Sequence, residues 1–372
     1  MSDISQIRLF FFIGTEAELI KVFPIMMELE AKKIQYCIIS SGQNNITESR
    51  ILSLLENKNL FILDDEKNII KSYLGYIKWW LLTGYKAIRK IKKAFSGVNL
   101  KKTILIVHGD TISTLMGAII GRVLGAKVAH VEAGLRSRNL LNPFPEEITR
   151  ILTSFISNIH FAPGKIYCDN LKRRKNVIDT GMNTIYDSLQ FSKKYKLLNP
   201  IMELIKNKPF FVFVLHRQEN LHNEVFFNEV TLKSIELSKL LHCVMILHKP
   251  TEAALLRIPV LFDKLKESPD ITLVPRMDYF DFMKLLDKSE FVISDGGSNQ
   301  EELFYMGKPC LIMRKCTERN EGLNSNARLY GGDLGEVLKF YDSYQNMKAS
   351  PVTIKGMTPS QIIATGLLDF LV

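Results

Sequence analysis

The stretch Ile104-Leu105-Ile106-Val107-His108-Gly109-Asp110-Thr111 is an apolar run that opens into a glycine, an acid and a hydroxyl residue. Downstream, Val128-Ala129-His130-Val131 opens into Glu132-Ala133-Gly134-Leu135-Arg136, and Pro143-Phe144-Pro145-Glu146-Glu147 follows. Both runs read as short strands of an open parallel α/β sheet, and in such a sheet ligands bind beyond the carboxyl ends of the strands. Asp110, Glu132 and the Glu146/Glu147 pair fall at that edge or in the turns and helix starts beyond it. Carboxylates gathered in a cleft mean acid/base chemistry or metal binding, so the pattern is that of an enzyme.

Outward from this stretch, strand-like runs alternate with helix-length amphipathic segments. Ile7–Ile13, Ile34–Ser40, Asn59–Leu63, Thr103–Val107, Lys127–Val131, Asn158–Phe161 and Val177–Asp179 form a first series. Phe210–Leu215, Cys243–Leu247, Ile271–Val274, Phe291–Ser294 and Pro309–Met313 form a second. The expected fold class is therefore α/β with two Rossmann-like, doubly wound domains, residues 1–185 and 186–357, and the substrate site in the cleft between them. Thr358-Pro359-Ser360-Gln361 supplies N-cap chemistry for a last apolar-faced helix, 358–372.

Length and composition agree with this division. A chain of 372 residues suits two ordinary domains, and 46% apolar with 24% charged residues is a globular balance. No opening apolar run is long enough for a signal peptide or a bilayer span. The five cysteines are odd in number and widely spaced, which fits reduced thiols in the cytoplasm, and all five read as packing residues. The net charge of +10 is spread along the chain without a nucleic-acid signature, so the expected partner is a small anion such as a nucleotide or sugar phosphate. The segment from Tyr73 to Phe95 carries Trp79, Trp80 and a basic end from Lys86 to Lys93. Such a segment can lie on a membrane surface or pack on a sheet with its basic end in solvent, and the second reading is favoured because most amphipathic helices in α/β domains cover the sheet.

Each candidate has a bland reading beside its chemical one. Asp110 could cap the helix that follows, and Glu146 could sit in a helix first turn because the dipole favours it. Glu132, directly after a strand, has no such duty. His216 in Leu215-His216-Arg217-Gln218-Glu219-Asn220 could be an acid/base group or a hydrogen-bonded turn residue, with Arg217 a phosphate ligand. In Ser294-Asp295-Gly296-Gly297-Ser298-Asn299-Gln300-Glu301-Glu302, glycines lead from a strand into a helix whose N-terminus suits a diphosphate. Glu302 could grip ribose hydroxyls or sit on a solvated face, and Arg319 is the candidate anion clamp.

These motifs together resemble the non-hydrolysing UDP-N-acetylglucosamine 2-epimerases, nearly end to end. The matching segments are Gly109–Thr114, Val128–Ser137, Pro143–Glu147, Arg150, His160–Pro163, His216-Arg217 with Glu219-Asn220, Gln300–Glu302, Gly307–Pro309 and Thr317–Arg319. The resemblance implies a GT-B glycosyltransferase-type architecture, the last helix crossing back to the first domain, and a homodimer. It implies acid/base and stabilising roles for Asp110, Glu132, Glu146 and His216. It implies substrate contacts for Lys21, Arg150, Arg217, Gly297, Ser298, Glu302 and Arg319. The implied reaction interconverts UDP-N-acetylglucosamine and UDP-N-acetylmannosamine for surface polysaccharide precursors. It proceeds by loss and return of UDP, so neither metal nor organic cofactor is needed.

The chain departs from the family pattern at three places. Glu16 stands where the family has an arginine, Gly296-Gly297-Ser298 replaces Ser-Gly-Gly, and Asn44 replaces a histidine, which predicts little activation by a second UDP-sugar. The alternatives are a relative acting on a deoxygenated or diacetamido UDP-sugar, a hydrolysing 2-epimerase, a GT-B glycosyltransferase, and a nucleotide-sugar binding module.

Overall fold

The structure is a computed structural model that describes residues 6–57, 59–63, 73–139, 145–197, 199–323 and 325–371. Pro143 and Phe144 of the proline-rich motif lie outside the described residues, as does the side chain of Trp79. The chain forms two compact units, Met1–Ser188 with Gly356–Val372, and Leu189–Lys355.

The strands of the first unit are β1 (Leu9–Ile13), β2 (Tyr36–Ser40), β3 (Leu60–Ile62), β4 (Ile104–His108), β5 (Lys127–Val131), β6 (Ile159–Ala162) and β7 (Val177–Asp179). They pair in parallel in the order β3-β2-β1-β4-β5-β6-β7. The second unit holds β8 (Phe210–Val214), β9 (His242–Leu247), β10 (Ile271–Pro275), β11 (Val292–Ser294), β12 (Cys310–Ile312) and β13 (Ala327–Leu329), in the parallel order β10-β9-β8-β11-β12-β13. Each sheet thus winds one way from its first strand and then the other. The switch points lie at β1/β4 and β8/β11, where the connecting loops part and leave a crevice.

The central strands are apolar on both faces because helices cover both: β1, β2, β4 and β8 are buried at every position. Cores build on each sheet accordingly, around Phe10, Phe12, Leu105 and Val128 in the first unit and around Phe211, Phe213, Phe291 and Phe340 in the second. The sequence reading had no strand at Ala327–Leu329, a three-residue edge strand too short and mixed to show a period. Cys316 also departs from expectation. It is exposed, whereas Cys37, Cys243 and Cys310 are buried.

The helix Pro359–Asp369 packs on the helix Glu16–Ala31 of the first unit. Ser360 donates to Asp187 Oδ2 through its backbone N–H (2.8 Å) and its hydroxyl (2.6 Å). Gly366 faces Phe161 and Ile178 so closely that a β-carbon would lie 3.0 Å from the Phe161 ring. Among the described residues, no helix is long and apolar enough to cross a membrane.

Candidate active site

In the first unit the loops after β1, β4 and β5 carry the candidate acids. Gly109 turns the chain out of β4 with φ +71°, and Thr111, not Asp110, caps the helix Ile112–Leu124 by accepting from Thr114 N. Asp110 therefore has no capping duty. Its carboxylate lies 2.5 Å from Arg150 Nη2, with the aspartate side chain 24% exposed. On the neighbouring strand end, Glu132 is buried with φ +63°, a left-handed conformation that a non-glycine residue adopts only at a cost. Its Oε2 accepts from Lys21 Nζ and from Asn183 Nδ2, both at 2.6 Å, with His108 Nε2 at 3.4 Å. Lys21, expected to touch substrate, is thus paired with a candidate acid.

The Glu146/Glu147 pair divides its duties. Glu147 is buried, accepts from Ser137 N (2.8 Å) and lies 3.3 Å from Arg150 Nη1, so it pins the loop after β5. Glu146 is the first residue of the helix Glu146–Ile156 and is only partly buried. His130 lies beneath these loops, where burial drives its pKa down to about 3 and its Nε2 is 2.8 Å from the Gly109 carbonyl. It is a neutral structural histidine.

Two residues that carry weight here were not singled out in the sequence. Asn183 follows β7, 51 positions from its partner Glu132, and no local pattern marks it. Glu18 is buried in the first turn of the helix Glu16–Ala31 and binds both the β1 and the β4 loops. The spacing Thr15-x-x-Glu18 is a capping box and could have flagged it.

In the second unit the switch point gathers a second group. Asp295, fully buried after β11, accepts from the backbone N–H of His216 (3.1 Å) and of Arg217 (3.0 Å) and from Asn220 Nδ2 (3.0 Å). His216 Nδ1 is 3.2 Å from Asp295 Oδ1. The His216 ring stacks on His248, with centroids 5.0 Å apart and planes at 24°, and burial lowers the His248 pKa to about 4. His216 itself is 36% exposed and open to a ligand.

The helix Gly297–Met306 starts beside it. A β-carbon at Gly297 would sit 3.0 Å from Arg319 Nε, so a side chain there would press on the guanidinium where it crosses the helix start. Arg319, expected as an anion clamp, is buried and lies 2.5 Å from Glu301. Arg217 pairs with Glu219 at 2.8 Å. Glu302 is buried rather than solvated, accepting from Asn299 Nδ2 at 3.0 Å. Gln300 donates to the carbonyls of Arg319 (3.1 Å) and Glu321 (2.8 Å), which fixes the loop carrying Arg319. Among the described residues, no cluster of His, Cys, Asp and Glu could hold a metal ion.

Known proteins share this fold. The family model described as UDP-N-acetylglucosamine 2-epimerase matches residues 81–358. The chain belongs to that family. A UDP-N-acetylglucosamine 2-epimerase of Methanocaldococcus jannaschii is 32% identical over 343 residues, covering 89% of this chain and 90% of the relative. Among solved structures, the Neisseria meningitidis UDP-GlcNAc 2-epimerase bound to UDP-GlcNAc superposes with a TM-score of 0.80 at 27% identity, covering 97% of this chain and 99% of the other. The M. jannaschii enzyme in complex with UDP-GlcNAc and UDP gives 0.79 at 28% identity, with the same coverage. As a member of this family, with two doubly wound sheets and a carboxylate set at the first switch point, the chain is an isomerase.

Proposed function

We propose that the chain epimerises UDP-N-acetylglucosamine at C2 by elimination and return of UDP. The observation that carries this reading is the pair of carboxylates on adjacent strand ends, Asp110 held by Arg150 and Glu132 held by Lys21, within the family's fold. The C2 proton of a nucleotide sugar has no neighbouring carbonyl to acidify it. The C1–O bond must therefore break towards UDP, which leaves with the bonding electrons while positive charge grows on the ring.

Glu132, closed in by Lys21 and Asn183, is suited to stabilise that charge as a fixed negative group. Asp110 and Glu146, both partly open, are suited to exchange the proton: one takes it from C2 as the C–H electrons form the C1–C2 double bond. A proton returned to the opposite face of C2, with UDP re-adding to C1, completes the inversion. His216 on its Asp295 anchor, Arg217 and the helix start at Gly297 and Ser298 are assigned to the UDP moiety, where N–H donors and cations meet diphosphate. Arg319 and Gln300 are assigned to shaping that helix start.

The same reading takes the chain as a cytoplasmic homodimer. Its five free thiols support the compartment. Three adjoining helices, 73–94, 112–124 and 146–156, each expose a large apolar side chain, Tyr85, Val123 and Phe155, which supports burial against a second copy.

Incubation with UDP-N-acetylglucosamine in heavy water tests the reaction. Deuterium at C2 of an intact UDP-sugar, together with the 2-epimer, is expected. Free sugar plus UDP would instead make the chain a hydrolase, and an unchanged sugar would overturn the reading.

A further inference from the structure

We propose that Glu18 is a positioning residue that sets both catalytic acids of the first unit, Asp110 through Thr111 and Glu132 through Lys21; this rests on the epimerase reading above. Glu18 is 4% exposed, and its carboxylate spans the β1/β4 switch point. Oε2 accepts from Gly14 N (2.6 Å) and Thr15 N (3.0 Å) on the β1 loop. Oε1 accepts from Thr111 Oγ1 (2.5 Å) and Thr114 Oγ1 (3.0 Å) on the β4 loop. Burial pushes this carboxyl up, while the bonds from Thr111, Gly14, Thr15 and Thr114 draw it back.

Capping alone does not require a charge at this position. The helix Pro359–Asp369 is capped by Thr358 with Gln361, whose neutral amide oxygen accepts from Thr358 N at 3.1 Å. Burying a carboxylate at position 18 costs free energy that a glutamine would avoid. The return is the second oxygen, which accepts from hydroxyls 93 and 96 positions away.

Both links lead to the acids. Thr111 follows Asp110 directly, and the Asp110 carbonyl is held from the other side by Thr149 Oγ1. Lys21 lies one turn from Glu18 on the same helix, on the same face, with its Nζ 2.6 Å from Glu132. A shift at Glu18 therefore displaces both acids together. Misplacement of a catalytic group by about 1 Å costs on the order of a hundredfold in rate.

The test is Glu18→Gln, alone and with Asp110→Asn, read by C2 deuterium exchange, by kcat and KM separately, and by melting temperature. Glutamine keeps an oxygen for Gly14 and Thr15, but its NH2 cannot accept from Thr111. The expected result is a fall in kcat of about 10- to 100-fold with KM within about threefold. In the Asp110→Asn background the same change should cost clearly less than in the wild type, because the part of its effect that runs through Asp110 is already gone and only the part through Glu132 is left. Thr111→Val severs the link from the other end at the cost of a helix cap, and should reproduce the loss of kcat even if Glu18→Gln fails to fold. Unchanged kcat in the folded variants, or losses that multiply fully in the Asp110→Asn background, would overturn the assignment while wild-type exchange still upheld the epimerase. A wild-type chain that exchanges no deuterium would overturn both.

Discussion

Replacing Lys21 with methionine removes one half of a closely enclosed ion pair of the first unit. Lys21 and Glu132 have side chains 7% and 4% exposed, with Nζ and Oε2 2.6 Å apart. Without the ammonium, Glu132 loses its contact with the Lys21 charge and keeps Asn183 and His108 as neighbours. Breaking such a pair leaves a buried charge uncompensated, which costs about 3–5 kcal/mol. In a unit of about 200 residues each kcal/mol moves the melting temperature by about 2–4 °C, so a fall of about 6–20 °C is expected. Both tryptophans, Trp79 and Trp80, belong to this unit, and the Trp80 indole donates to the Ile112 carbonyl at 3.2 Å, so tryptophan emission follows its unfolding selectively. Lys21→Met with Glu132→Gln, which removes the charge as well as its partner, should recover at least half of the loss. Lys233→Met, which breaks the exposed Lys233–Glu236 pair, should change stability by less than about 1 kcal/mol. A Lys21→Met variant within about 1 kcal/mol of wild type, or a double variant no more stable than the single one, would refute the reasoning.

Asp110→Asn and Glu146→Gln should each lower turnover by at least about a hundredfold, the scale for an acid/base group, with unchanged circular dichroism; near-wild-type rates in both would remove them from the mechanism. His130 should make stability acid-sensitive. Its folded pKa of about 3 lies below the unfolded 6.5, so the unfolded chain binds the extra proton between these values and stability falls as pH falls. Between pH 6.5 and 5 this removes about 2 kcal/mol, which His130→Gln should abolish in urea titrations at the two pH values. Initial rates should depend hyperbolically on UDP-N-acetylglucosamine, since Asn44 replaces the family histidine. A strict requirement for UDP-N-acetylglucosamine when the reaction is run from the 2-epimer would contradict this.

Much of the fold was legible because buried parallel strands announce themselves as apolar runs ending in turn residues. Lys127–Val131 and Val177–Asp179 were read to the residue, whereas Ile7 and Ile34 were counted as strand although β1 and β2 begin at Leu9 and Tyr36. An apolar residue just before a strand looks like part of it, since only the ladder of hydrogen bonds marks the start. In the site, Asp110 and Glu132 were visible as acids at strand ends, but their partners were not. Lys21 meets Glu132 across 111 positions and Thr111 meets Glu18 across 93, contacts that sheet order creates and local spacing cannot encode. Arg319 reads as a free cation in a linear motif, and only the packed helix start shows Glu301 beside it.

The discontinuity of the first unit has a consequence for how the molecule is made. Its sheet is complete in sequence by Asp179, yet the helix that packs on Glu16–Ala31 comes only after all of Leu189–Lys355 has been synthesised. A nascent chain therefore holds β6 and β7 with Phe161 and Ile178 uncovered where Gly366 will later sit, while the second unit, continuous in sequence, can close first. The ribosome thus delivers the candidate acids early and the clasp that secures their scaffold last, and in the interval between them the uncovered apolar surface of β6 and β7 is open to wrong contacts.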